Sequence, residues 1–231
     1  MAQITIRDTS AELPALDGGT ELPRVRSLGA AGDARSGFEF GPVSLREVDL
    51  SDRTWRQGRV RALRAERASL TRLDVGSVEF TECELGSLRW TGGKLTRVRF
   101  DGCKLLGARL AGMTMHSVVF TDCKLDYATF ERVQAGGPVL FVGCSLREAV
   151  FTGCNLAGCL FDECDLTAVE FGPGTYRRCD LRGSDLSAIS GAARLKQVVL
   201  NRAQLLQLAV ALSAELGVTL GDEGDVQPTL R

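Results

Sequence analysis

From Phe40 to Phe130 every fifth position of the chain is, in most cases, a large apolar residue. Phe40, Leu45, Leu50, Trp55 and Val60 open the series, and Phe120, Leu125 and Phe130 close it. The register slips by one residue within the stretch Glu131–Phe141, then continues through Leu146 and Phe151 as far as Leu186. A period of five is neither the 3.6 of a helix nor the 2.0 of a strand, so it marks an internal repeat. The slot two residues before each centre is mostly small. The slot two after it is often glycine, as at Gly102, Gly107, Gly112, Gly143, Gly153, Gly158 and Gly183. Glycine there suits a tight turn, because it carries no Cβ penalty at positive φ.

The stretches Cys154–Gly158, Cys164–Ala168, Cys179–Gly183 and Ser184–Ala188 read CNLAG, CDLTA, CDLRG and SDLSA. They resemble the pentapeptide-repeat family, whose repeat is written A(D/N)LXX, with Cys or Ser in the Ala slot. The resemblance covers roughly residues 38 to 190. It implies an all-β fold, a right-handed quadrilateral parallel β-helix with four pentapeptides per coil, here followed by a C-terminal α-helix. Four pentapeptides imply a period of twenty, and the centres sort accordingly. One ladder is Leu85, Leu105, Leu125, Leu146, Leu166 and Leu186, and another is Phe80, Phe100, Phe120, Phe141 and Phe161.

All eight cysteines occupy the small slot before the centre. They are expected to point inward as free thiols packed like small hydrophobes. Parallel in-register side chains have the wrong mutual direction for a disulfide. No CxxC pair occurs and His116 is the only histidine, so no metal site is expected. Reduced thiols suit a cytoplasmic protein. No apolar run reaches membrane-spanning length, and the first ten residues lack the pattern of a signal peptide.

Four segments follow. Residues 1–37 lie outside the repeat. They are rich in Gly and small polar residues, allow one short strand at Gln3–Arg7, and are the natural cap for the first coil. Residues 38–200 form the solenoid. Residues 201–220 carry a helix with Asn201 as N-cap and Gly217 just past its end, and allow a short strand at Gly217–Leu220. Residues 221–231 read as a polar tail. Leu205, Leu208 and Leu212 share one stripe of the helix while Leu206 and Val210 point elsewhere. The helix therefore has more apolar surface than one side can bury, and a homodimer through Leu205, Leu208 and Leu212 is expected.

No catalytic residue and no cofactor is expected, because a single histidine offers no base–nucleophile arrangement and no phosphate-binding loop stands in strand–helix context. Function should lie on the outer surface. The arginines from Arg53 to Arg72 form a sequence cluster. Val119, Leu140 and Leu160 form an outward apolar stripe beside Val142, either an interaction site or a surface covered by a neighbouring loop. Asp162, Glu163, Asp165, Asp180 and Asp185 enrich the C-terminal coils in acid. The resemblance implies a type II topoisomerase (DNA gyrase or topoisomerase IV) as partner, protected from topoisomerase-poisoning antibiotics, with partial imitation of DNA by the protein. Those five acids and the stripe are then the partner-binding candidates. A scaffold for an unrelated protein is the alternative. No direct nucleic-acid contact and no membrane is expected. The charge argues against strong mimicry: bases slightly outnumber acids between residues 43 and 200, whereas duplex DNA carries one negative charge per ~1.7 Å of its axis.

Overall fold

The computed structural model describes residues 2–16, 22–219 and 221. From Ala34 onward the chain winds as a parallel β-solenoid whose short strands pair with the strand one coil later. Each coil has four sides, named here by their inward residues. The Trp55 side continues through Val75, Leu95 and Met115. The phenylalanine side runs Phe80, Phe100, Phe120, Phe141, Phe161. The leucine side starts at Leu45, Ala65 and Leu85 and continues through isolated bridges at Lys104, Lys124, Ser145 and Asp165. The Trp90 side runs Leu70, Trp90, Leu110, Phe130, Phe151, Phe171.

The reason for ladders of like residues is visible in the phenylalanine side. Its rings stack at 4.8, 4.7, 4.9 and 4.7 Å between centroids, tilted by 10° or less. That is the spacing between hydrogen-bonded strands, so identical side chains in register stack face to face without leaving a gap between coils. The left-handed corner is equally regular. Gly102, Gly107, Gly112, Gly143, Gly153, Gly158 and Gly183 all have positive φ, and so do Arg72, Glu82, Tyr127, Glu163 and Ala168 in the same slot. The slip in register also has a place. Met115 pairs with Ala135 but Val118 pairs with Val139, so the extra residue lies in Gly136–Pro138.

All eight cysteines are free and buried. Several donate to a carbonyl of the preceding coil: Cys103 to Phe80 at 3.4 Å, Cys144 to Phe120 at 3.4 Å and Cys154 to Phe130 at 3.3 Å. Burial pushes the thiols of Cys154, Cys159 and Cys179 up.

The N-terminal residues do two separate things. Residues 23–25 bridge Glu39 in parallel, and Leu28 packs into the main core at the mouth of the first coil. Farther upstream, β1 (Gln3–Ile6) and β2 (Thr9–Glu12) form an antiparallel hairpin, which lies along the flank of the later coils rather than over the first one.

At the other end, α1 (Arg202–Glu215) begins with a capping box. Asn201 accepts from the Gln204 N–H at 2.9 Å, and the Gln204 side chain accepts from the Asn201 N–H at 2.9 Å. The helix lies over the last coil. Buried Gln204 donates to Ser184 O at 2.7 Å and also to Leu181 O, satisfying carbonyls that have no further coil to pair with. Residues 217–219 form no strand. Leu220 and residues 222–231, including nearly all of the expected tail, lie outside the described residues.

Candidate functional site

The apolar stripe is not exposed. Val119, Leu140 and Leu160 are fully buried beneath the hairpin, in a cluster with Ala11 that Ile4, Ile6, Leu13 and Val142 complete. The hairpin makes these contacts with side chains. Alternation along β1 and β2 turns Ile4, Ile6 and Ala11 toward the solenoid. Ion pairs fix its ends: Arg7 to Asp162 and to Asp180, Asp8 to Arg182 at 3.6 Å, and Glu12 to Arg97 at 3.6 Å. Of the two readings of the stripe, the exposed interaction site is corrected and the covered surface is the one observed. An outward apolar column on a solenoid needs a cover, and this chain supplies its own.

The hairpin also takes up much of the acidic patch. Asp162 is paired with Arg7. Asp180 is buried and held by Arg182 at 2.7 Å. Burial works against its ionisation, but the Arg182 hydrogen bonds and the nearby Arg7 hold its carboxyl below the usual value. Asp165 accepts from Thr167 at 2.6 Å and faces Arg147 at 3.4 Å, and its carboxyl is also lowered. Glu163 and Asp185 are exposed, and Asp185 accepts from the Ser187 N–H at 2.8 Å. The five acids do not form one patch. Asp162, Glu163 and Asp180 belong to the phenylalanine side, Asp165 and Asp185 to the leucine side.

The arginine cluster of the early coils disperses in the same way, because residues five apart lie on different sides. Arg59 pairs with Glu79 at 3.2 Å, Arg64 with Glu84 at 3.8 Å, Arg67 with Glu47 at 3.1 Å and Arg72 with Asp52 at 2.6 Å. Each of these partners sits one coil above or below its arginine. Stacked opposite charges attract across a parallel ladder as they do across any pair of strands. They offset these four arginines within the early coils.

The helix presents a different face from the one expected. Leu208 and Leu212 pack on the solenoid core, with Ala211 buried between them. Leu205, Leu206, Val210, Leu216 and Val218 are exposed, Leu206 by 74%. The docking rotation is set by polar hooks: Gln204 on the last coil, Gln207 accepting from the Leu186 N–H at 3.2 Å, and Glu215 accepting from Ala193. Of the three expected interface leucines only Leu205 faces outward.

Among the described residues no group of three or more His, Cys, Asp or Glu is arranged to hold a metal ion. His116 contacts only the Gly136 carbonyl by hydrogen bond, at 3.1 Å. No helix there is long and apolar enough to cross a membrane.

Residues 113–190 match the family model described as a pentapeptide repeat region. No curated relative matches the chain. Two similar solved structures are trypsin-treated forms of QnrB1, a plasmid-mediated fluoroquinolone resistance protein. One is 18% identical with a TM-score of 0.39, covering 86% of this chain and 96% of that one. The other is 19% identical with a TM-score of 0.39, covering 86% of this chain and 94% of that one. HetL, a pentapeptide repeat protein involved in heterocyst differentiation regulation from the cyanobacterium Nostoc, is 17% identical with a TM-score of 0.28, covering 74% of this chain and 88% of that one. At that degree of likeness nothing about those proteins' roles transfers.

Proposed function

We propose, from the premise that the chain is a pentapeptide-repeat protein, that it works without catalysis as a rod-shaped binding protein. Its partner in this reading is a type II topoisomerase, DNA gyrase or topoisomerase IV, which it protects from topoisomerase-poisoning antibiotics. One observation carries the binding role: an unbroken parallel stack gives long, regular sides, the usual asset of a solenoid. About eight coils at about 4.8 Å make a rod of roughly 40 Å. A homodimer through the outer face of α1 would double that length. The exposure of Leu205, Leu206, Val210 and Leu216 supports such a contact, since a two-fold interface is self-complementary and covers both faces at once.

The internal pairing of Asp162, Asp165 and Asp180 favours a second reading, a scaffold that binds an unrelated protein through polar, charge-balanced sides. Of the five candidate acids, exposed Glu163 and Asp185 then remain for the first reading. Two measurements separate the readings. Gyrase and topoisomerase IV supercoiling, relaxation and drug-induced DNA cleavage should change on adding the protein, and Glu163→Lys with Asp185→Lys should weaken that effect. Light scattering should give a dimer that Leu206→Asp with Val210→Asp converts to monomer. A folded dimer that changes neither enzyme overturns the topoisomerase reading and leaves the scaffold.

A further inference from the structure

Arg177, Arg178, Arg194 and Lys196 converge at the C-terminal end of the Trp55 side, all exposed. The first two sit on one coil and the last two on the chain's next pass. None makes an ion pair among the described residues, in contrast to Arg59, Arg64, Arg67 and Arg72. Two shallow grooves flank Arg177. One, of about 460 Å³, is bounded by Gly137, Gly158, Asn155, Thr175, Arg177 and Arg178. The other, of about 370 Å³, is bounded by Gly174, Thr175, Arg177, Arg194, Lys196 and Gln197. Neither has a carboxylate in its wall.

We propose that this surface binds the sugar–phosphate backbone of duplex nucleic acid, independently of the protein partner. Three features select that ligand. First, the whole side is poor in acid. From Thr54 to Arg178 its outward and corner positions carry one carboxylate, Asp74, which is engaged by the Lys94 N–H at 2.8 Å. A polyanion can lie along it past Arg56 and Lys94 as well, meeting other carboxylates only at the corner, where Glu12 pairs with Arg97 and where Asp8 and Asp180 border a further groove beside Arg178. Second, the side has no exposed aromatic residue. Tyr176 is buried, with its hydroxyl donating to Gly172 O at 2.9 Å. Single strands are held by stacking bases on aromatic rings, and no such platform exists here. Third, the groove walls are largely apolar but shallow and built mostly from small residues, Pro138 and Ala157 with the glycines, so they offer no deep pocket for the large anchors that dominate protein interfaces. Phosphate contacts from Arg and Lys carry no sequence information, so recognition is by charge and shape.

The test is fluorescence anisotropy of the full chain with a labelled duplex of about 20 base pairs. Four phosphate contacts predict a slope of log K against log salt of about −3.6, roughly a 150-fold loss between about 50 and 200 mM salt. Arg177→Glu with Lys196→Glu should at least halve that slope and weaken low-salt binding more than tenfold. Arg46→Glu with Arg89→Glu, exposed arginines on other sides, should leave binding unchanged. Circular dichroism verifies that each variant is folded. No duplex binding at low salt overturns the proposal, and so does binding indifferent to the first variant. Tighter binding of the single strand, or equal competition by polyglutamate, overturns it in favour of another anion. Because no topoisomerase is present, the outcome is separate from that of the protection assay.

Discussion

Raising the pH should unfold this protein through its cysteines. Cys159 and Cys179 lie in the interior, and burial raises both thiols well above their ordinary range. In the unfolded chain a thiol ionises near pH 8.5. An acid whose folded pKa is raised gives stability that is fully present below the unfolded pKa and is lost as pH climbs above it. Between about pH 8.5 and 9.5 each such thiol costs about 1 kcal/mol, and over the next unit about 1.4 kcal/mol. By about pH 10.5 the two together cost on the order of 5 kcal/mol. That is a large share of the roughly 5–15 kcal/mol by which ordinary domains are stable. The assay is urea unfolding in reductant at a series of pH values, with the Cys159→Ala, Cys179→Ala variant beside the parent. The parent's midpoint should fall steeply above pH 8.5. The variant, weakened at neutral pH by small cavities, should fall less steeply by about the worked amount. A midpoint equally pH-dependent in both proteins would refute the reasoning, as would rapid labelling of these thiols in the native state.

The corner residues give a second expectation. Ala168 is held at φ 57°, so Ala168→Gly should raise stability by about 0.5–1 kcal/mol, and Gly112→Val, at φ 61°, should lower it by about 1–3 kcal/mol, both read from thermal or urea midpoints. A third concerns the hairpin. Leu140→Asp buries an unpaired charge against Ala11, Val119 and Leu160; it should detach β1 and β2, seen as new proteolytic cleavage within residues 2–16, while the solenoid's circular dichroism is retained.

How much of this was legible in the sequence follows from which relations are periodic. A ladder such as Phe100, Phe120 and Phe141 repeats at the coil length, so its inward direction could be read directly, and so could the left-handed slot occupied by Gly102 and Gly112. The role of the hairpin could not. Ile4 and Ile6 meet Leu140 and Leu160 across a distance that no period connects. The helix showed two apolar stripes, but spacing alone cannot say which one docks. Gln204, Gln207 and Glu215 decide it by hydrogen-bonding to backbone groups of the last coils. Charge was the most misleading signal. Arginines adjacent in sequence from Arg53 to Arg72 scatter over the four sides, whereas Arg178 and Lys196 converge from separate passes. On a solenoid, a surface cluster is found by reading down a column rather than along the chain.

The hairpin's position fixes an order of events. Solenoid contacts join residues about one coil apart, which makes the stack quick to propagate from any nucleus. The Arg7–Asp162 contact spans 155 positions. Closing a loop of that length in an unfolded chain costs roughly 2 kcal/mol more than closing one coil, and the column formed by Val119, Leu140 and Leu160 does not exist until three successive coils have stacked. The hairpin must therefore arrive last and leave first. Under a pulling force applied at the N-terminus it would release as a separate early event, before any coil unwinds, and refold onto a template that never lost its shape.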